Sequence, residues 1–174
     1  MKAQLEITKL KSDFRSYCTW DPTKPSPTII TFLRYFLLIP EFRTVVYYRI
    51  GYLSLLISWL FRPQKCCYLN ARIIGGGLHI QHGFASIVSA RSIGKNFHVH
   101  QQVTVGWTSK GCPVIGDDVR VNAGAIVIGG ITIGNDVEIG AGAVVTKDIP
   151  DHSMVVGVPA KIIKRRKSVS DKWE

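Results

Sequence analysis

From Ile115 onward an aliphatic residue occupies every sixth position, at Ile115, Val121, Val127, Ile133, Ile139 and Val145, with Gly116, Gly134 and Gly140 directly after three of them. An α-helix would bring apolar residues back every three or four positions and a half-buried strand every second one, so neither accounts for a period of six. Such a short repeat predicts a parallel β-helix, in which each hexad forms one flat face of a prism and a small residue lets the chain turn to the next. The interval runs backwards through Val105, Val99, Ile93 and Ile87, and through Ile80 and Ile74 after one extra residue between Ile80 and Ile87. Between Val105 and Ile115 it stretches to ten, which predicts four added residues looping out around Trp107–Pro113. Twelve hexads at three per turn amount to about four coils and a prism about 20 Å tall. One inward aliphatic side chain per hexad makes a thin core, so caps and packing against further copies are expected.

The pattern changes before about Cys66. Pro22, Pro25 and Pro27 make Trp20–Pro27 an extended linker, and Thr28–Leu38 and Glu41–Phe61 read as two apolar helices separated by Pro40. Apolar residues of the second wrap around most of its circumference, from Phe42 and Val45 to Leu56 and Leu60. Its longest stretch without a charge, Ile50–Phe61, is twelve residues, well short of the roughly twenty needed to span a bilayer. Packing on the solenoid or on a neighbouring subunit is favoured for residues 28–61. Peripheral contact with an anionic membrane face is the alternative, given Arg34, Arg43, Arg49 and Arg62 alongside. The organisation expected is therefore a helical region over 1–65, a β-helix over 66–160 and a basic tail over 161–174.

Composition narrows the chemistry. The 174 residues are 46% hydrophobic, in keeping with one compact unit. The formal charge of +10 and pI near 9.7 call for an acidic ligand or an anionic surface. Much of the excess lies in Lys161, Lys164, Arg165, Arg166 and Lys167. No zinc finger, basic recognition helix or aromatic-basic sheet motif is present, so nucleic acid is not expected as a partner. Cys18, Cys66, Cys67 and Cys112 show neither a disulfide framework nor paired metal-ligand spacing. With no secretory leader pattern either, a cytoplasmic location is expected.

Five histidines are candidates for proton transfer, since imidazole titrates near neutrality. If Ile80 and Val99 point inward, His79, His98 and His100 flank them and point outward as ordinary surface residues. His82 falls where the period slips, and His152 lies in a C-terminal loop.

The segment Gly77-Leu-His-Ile-Gln-His82-Gly-Phe-Ala-Ser-Ile-Val88, with Gln102-Val-Thr-Val-Gly106, Cys112-Pro-Val-Ile-Gly116, Val145-Thr-Lys-Asp-Ile-Pro150 and Val156-Gly-Val-Pro-Ala160, resembles the hexapeptide-repeat acetyltransferases. It is similar to serine acetyltransferases and, on the Cys112-Pro113 pair, closer to the colanic-acid and capsular-polysaccharide O-acetyltransferases. The resemblance covers about residues 66–165. It implies a mainly β, left-handed parallel β-helix, a homotrimer with active sites between adjacent prisms, and acetyl-CoA as co-substrate with no metal. Carried over residue by residue, it implies His82 as general base. Gly106, Ala123, Ala141, Thr146, Lys147 and Lys164 would contact the cofactor, and Gln81, Trp107 and Cys112 the acceptor. Gly124 and Gly142 belong to the same small-residue edge, which the turn geometry alone could equally demand.

The departures matter too. Serine acetyltransferases carry aspartates at the positions of Cys67 and Gln81 and a histidine at that of Cys112. Without them, capture of serine's ammonium and carboxylate is harder to support, and a sugar or polysaccharide-precursor hydroxyl becomes the expected acceptor. Serine O-acetylation and a non-catalytic solenoid that binds a partner are the alternatives. Cys112 as an acyl-carrying nucleophile is disfavoured, because only Lys110 is cationic nearby. A γ-type carbonic anhydrase shares the prism but needs a His-x4-His zinc pair that is missing here.

Overall fold

The computed structural model describes residues 2–19, 26–167 and 171–174. A helical cap precedes the solenoid. Its first helix, α1 (Lys2–Thr19), was not foreseen from the hydropathy pattern, which is dominated there by charge. The helix nevertheless has a buried side, made by Asp13, Phe14, Tyr17 and Cys18 with Leu10 packed against it, a spacing of three and four that keeps these residues on one face. The second helix, α2 (Ile29–Leu38), starts at Thr28, whose hydroxyl accepts a hydrogen bond from the Thr31 amide at 3.2 Å. Residues 20–25 of the expected linker lie outside the described residues.

The long helix expected over Glu41–Phe61 is two elements. Helix α3 (Pro40–Ile50) begins with Pro40 in its first turn, where the missing N–H costs nothing, and stops at Gly51, which takes a φ of +56°. A 3₁₀ turn follows over Gly51–Leu56. Phe42 of α3 is fully buried at the centre of the cap, with the rings of Phe14, Tyr17, Phe32 and Tyr35 tilted or edge-on to it at 5.1–6.1 Å.

Beyond the cap the chain winds into a three-faced parallel β-helix. One face carries β1 (Cys67–Leu69), β3 (Ser86–Val88), β6 (Thr104–Gly106), β9 (Ile126–Ile128) and β12 (Val144–Val145). The next carries β4 (Ser92–Ile93), β7 (Val114–Ile115) and β10 (Thr132–Ile133). The third carries β2 (His79–Ile80), β5 (His98–Val99), β8 (Arg120–Val121), β11 (Glu138–Ile139) and β13 (Ser153–Val156), closed by β14 (Lys161–Arg165). Among these strands every pairing is parallel except that of β13 with β14.

Inside, three aliphatic columns stack in register. Leu69, Val88, Val105, Val127 and Val145 fill the β1 face. Ile74, Ile93, Ile115, Ile133 and Ile149 fill the β4 face, the outer two through isolated bridges. Ile80, Val99, Val121, Ile139 and Val155 fill the β2 face. Each column has five rungs, so the prism has about five turns rather than the four expected. The strict beat from Ile74 to Val145 missed Leu69 at one end and Ile149 and Val155 at the other, because corners of irregular length break the interval there.

One position of the expected beat is reversed. Ile87 is 43% exposed, whereas Val88 is fully buried and pairs with Val105. The interval from Ile80 to Val88 is therefore eight and that from Val88 to Ile93 five. Two residues are inserted at the corner holding His82, and one is deleted at the corner after it. A count of apolar spacing sees only the net gain of one.

The corner between the β4 and β2 faces shows why glycine is needed there. A Cβ built on Gly116 would stand 2.8 Å from the Gly134 carbonyl group of the next coil, too close for any other side chain. Beside this glycine column Asp117, Asn135 and Asp151 each accept a backbone N–H of the preceding coil at 2.7–2.9 Å, from Lys95, Asp117 and Asn135. The C-terminal segment, expected as a basic tail, is instead tied down. Arg166 donates to both carboxylate oxygens of Asp136, His152 Nδ1 lies 2.7 Å from Asp136 Oδ2, and the Trp173 ring covers the guanidinium at 4.1 Å.

Candidate active site

His82 occupies the inserted corner between β2 and β3. Its φ of +57° is left-handed, a conformation that histidine tolerates better than most side chains, and its carbonyl accepts the Phe84 amide at 2.5 Å. Ser86 completes the corner: buried, it donates through Oγ to the His100 carbonyl (3.0 Å) and accepts the Val103 amide (3.2 Å). The Ser86 hydroxyl thus ties this corner to the corresponding corner of the next coil, and His82 is exposed.

Cys67 stands beside this corner, its Sγ 3.3 Å from where a Cβ on Gly83 would lie. Burial, and secondarily Glu41, push its thiol up to about 11, so it is neutral at physiological pH. It cannot orient His82 as an anion. The other side chain expected to differ, Gln81, accepts a hydrogen bond from His98 Nε2 at 3.1 Å, which fixes the His98 tautomer.

His79 and His98 point away from the prism interior as expected, but they are buried. The reason is α1, which lies over this face. The Tyr17 ring stacks on His79 at 4.2 Å and 7°, His98 follows at 4.6 Å with its ring tilted by 37°, and His100 stacks on His98 at 4.9 Å. Burial, then the charges of His79, Arg120 and His100, drive the His98 pKa down to about 2. Burial, with Arg120 and His82, also lowers that of His100. His98 is therefore a neutral packing group at physiological pH. The reading of all three as ordinary solvated residues fails for His79 and His98, because a helix missed in the sequence covers them.

The residues expected to hold cofactor fall on two edges and one face. Ala123 and Ala141 lie at the same corner as His82, two and three coils further on, with the Gly142 amide bonded to the Ala123 carbonyl at 2.9 Å. The backbone is bare along this edge: a Cβ on Gly142 would meet nothing within 4 Å, and one on Gly124 only Gly142 at 3.9 Å. An extended amide-bearing arm could lie against it. Both glycines have a positive φ, so the turn also requires them. Gly106 and Thr146, with Lys147 next to it, stand at the opposite edge of the β1 face, in register through Ile128. Lys164 pairs with Met154 on the β2 face, while Lys161, opposite Val156, lies nearer the Ala141 edge because β14 runs antiparallel.

The inserted loop is a small hairpin at the same edge as Gly106, closed by two hydrogen bonds between Thr108 and Gly111. It presents Trp107, 71% exposed, and Cys112, also exposed. One chain therefore does not bring Trp107 and Cys112 to its own His82, which lies across the β1 face. Among the described residues no group of three or more His, Cys, Asp or Glu side chains is placed to hold a metal ion.

Tyr17 and Ser86, which shape this region, went unnoticed in the sequence. The spacing of Leu10, Phe14, Tyr17 and Cys18 could have revealed the helix that carries Tyr17. The role of Ser86 has no local signal, because it depends on the corner insertion.

These features define a hexapeptide-repeat parallel β-helix, and the profile of the family Bacterial transferase hexapeptide (six repeats) matches residues 112–147. Within that class the chain is similar to the serine acetyltransferases. It is 44% identical over 98 residues to the serine acetyltransferase of Bacillus pumilus, a match covering 53% of this chain and 45% of the relative. It superposes on the serine acetyltransferase of Neisseria gonorrhoeae with a TM-score of 0.70 at 26% identity, covering 93% of this chain and 66% of that one. A serine acetyltransferase in complex with CoA has the same fold, with a TM-score of 0.68 at 24% identity over 92% of this chain and 70% of that one. The matched region spans about half the length of the curated relatives. These likenesses do not support the expected closer kinship with colanic-acid and capsular-polysaccharide enzymes; they point to serine acetyltransferases.

Proposed function

We propose that this chain is an acetyl-CoA-dependent O-acetyltransferase acting on the hydroxyl of serine, with His82 as general base. The observation that carries the reading is the placement of His82, exposed in an inserted corner, on the same edge as the bare backbone of Ala123–Gly124 and Ala141–Gly142. The similarity to serine acetyltransferases supports the acceptor. In this reading the imidazole takes the hydroxyl proton as the oxygen attacks the thioester carbonyl. The tetrahedral oxyanion collapses with cleavage of the C–S bond, and the proton passes from His82 to the departing thiolate. Because Gly106, Trp107 and Cys112 lie across the β1 face from His82, a complete site joins the His82 edge of one copy to the Trp107 edge of another. A homotrimer is the arrangement we propose.

A neutral sugar hydroxyl is the second reading. It is favoured by the neutral Cys67 thiol and by the engagement of Gln81 with His98, which leave the base without the acidic neighbours expected for an amino-acid acceptor. The test is free-thiol release from acetyl-CoA with L-serine, nucleotide sugars or oligosaccharides as acceptor. Serine-dependent release supports the first reading, and release with a sugar alone moves the assignment to the second. No release with any acceptor, together with no protection from thermal unfolding by CoA, would overturn both.

A further inference from the structure

The cap leaves a broad apolar surface uncovered. On α2, Ile29, Leu33 and Leu37 recur every fourth position and are all exposed, opposite the buried Thr31 and Tyr35. After α3, Tyr52, Leu56 and Trp59 are 93%, 72% and 74% exposed. The two stretches form one unit. Arg43 donates to the carbonyls of Phe36 and Leu37 (2.7 Å each) and to that of Arg62 (2.8 Å), and the Phe36 and Phe61 rings meet edge-on at 5.6 Å. The end of α2 is thereby clamped to the end of the turn that carries Trp59.

Charge selects the occupant. From Thr28 to Gly116 the chain has nine lysines and arginines and a single acidic residue, Glu41. Arg34 lies in the exposed stripe of α2 between Ile30 and Leu38, and Arg62 and Lys65 follow the turn, all exposed. A second copy packed face to face would set these cations against their own equivalents, with almost no acid to offset them. An anionic lipid surface instead takes apolar side chains into the acyl boundary and pairs the cations with phosphates. Trp59 and Tyr52 suit that depth, being apolar bodies with one polar group, and the Trp59 N–H is already satisfied by the Leu56 carbonyl at 3.1 Å. Among the described residues no helix is long and apolar enough to cross a membrane, so the contact is one of lying on the surface. We infer that the α2 stripe and the 52–60 turn are a docking surface for an anionic phospholipid bilayer. This inference is independent of the proposed transfer reaction.

The test is co-flotation of the full chain with sealed vesicles of phosphatidylcholine alone or mixed with phosphatidylglycerol, with oligomeric state followed by analytical ultracentrifugation. The protein is expected to float with the anionic vesicles and not with the neutral ones, and added salt should weaken the binding. Arg34→Gln and Arg62→Gln should each reduce partitioning roughly fivefold. Leu56→Asp with Trp59→Asp should reduce it at least about tenfold. Tyr52→Asp, at a position almost wholly in solvent, provides a second apolar variant should the double variant fold poorly. No flotation with anionic vesicles, or flotation unchanged in all these variants, would overturn the inference. Absence of flotation with an assembly that breaks up in the Leu56→Asp, Trp59→Asp variant would overturn it in favour of a second copy.

Discussion

Tyr17 and His79 lie ring on ring, 4.2 Å apart and 7° from parallel, and so bind the first helix to the outside of the β-helix. The Tyr17 hydroxyl also accepts the Ile80 amide and donates to the Ile80 carbonyl, both at 3.0 Å, as a further rung would. Tyr17→Phe keeps the stack but strands two buried backbone groups. It is expected to cost about 1–3 kcal/mol in chemical denaturation, with the midpoint shifted and the overall fold unchanged.

A second tie is ionic. Asp13 of α1 receives a paired contact from Arg49 (2.8 and 3.1 Å) and the amides of Gly77 and Leu78 (2.8 Å each), while Arg49 also donates to the Ile74 and Gly75 carbonyls. Asp13→Ala leaves the buried guanidinium only the more distant, partly exposed Glu6 carboxylate at 3.6 Å as counter-ion, and a loss toward the lower end of about 3–5 kcal/mol is expected. Hydrogen exchange should show where the loss falls, with the Gly77 and Leu78 amides accelerating before those of Val121 or Ile139.

The depressed pKa of His98 makes a prediction in pH. Its folded value, about 2, lies below the value near 6.5 of an unfolded histidine. The unfolded chain therefore takes up this proton first. Stability should not depend on His98 above about pH 6.5 and should decline as the pH falls from there, by on the order of 1 kcal/mol per unit. His98→Gln should flatten the denaturation curve between about pH 6.5 and 5, above the range where most carboxylates titrate. An unchanged slope in that variant would remove His98 as the cause.

His82 predicts a different separation of effects. It touches the reacting atoms in the proposed transfer and projects into solvent, so His82→Ala should lower acceptor-dependent thiol release about 10²–10⁴-fold. Thermal unfolding and sedimentation should change little. Near-normal turnover would place the base elsewhere.

Much of the prism was legible because a solenoid repeats one local demand. Each coil needs an aliphatic residue inward on every face and a small residue where backbones of successive coils meet, so the requirement recurs in the chain as a period. Ile115, Val121 and Val127 announce it, as do Gly116 and Gly134. Ile87 misled because an insertion of two and a deletion of one cancel to a shift of one, and both Ile87 and Val88 are apolar. Only pairing with Val105 tells them apart. The Glu41–Phe61 helix was overextended because apolar content continues through Gly51, whereas the backbone turns there.

By itself the sequence determined a hexapeptide-repeat β-helix behind a helical cap, the inserted loop at Trp107–Pro113, and His82 as the residue at a break in the period. These are properties of spacing, and spacing is local. The tertiary structure alone decided that His79 and His98 are buried and that His98 is neutral, that Cys67 lies against the His82 corner as an uncharged thiol, and that Trp107 and His82 stand at opposite edges of one face. Each of these depends on what lies over or beside a residue from a distant part of the chain, and burial and electrostatic environment are set by that neighbour rather than by the residue's own place in the repeat.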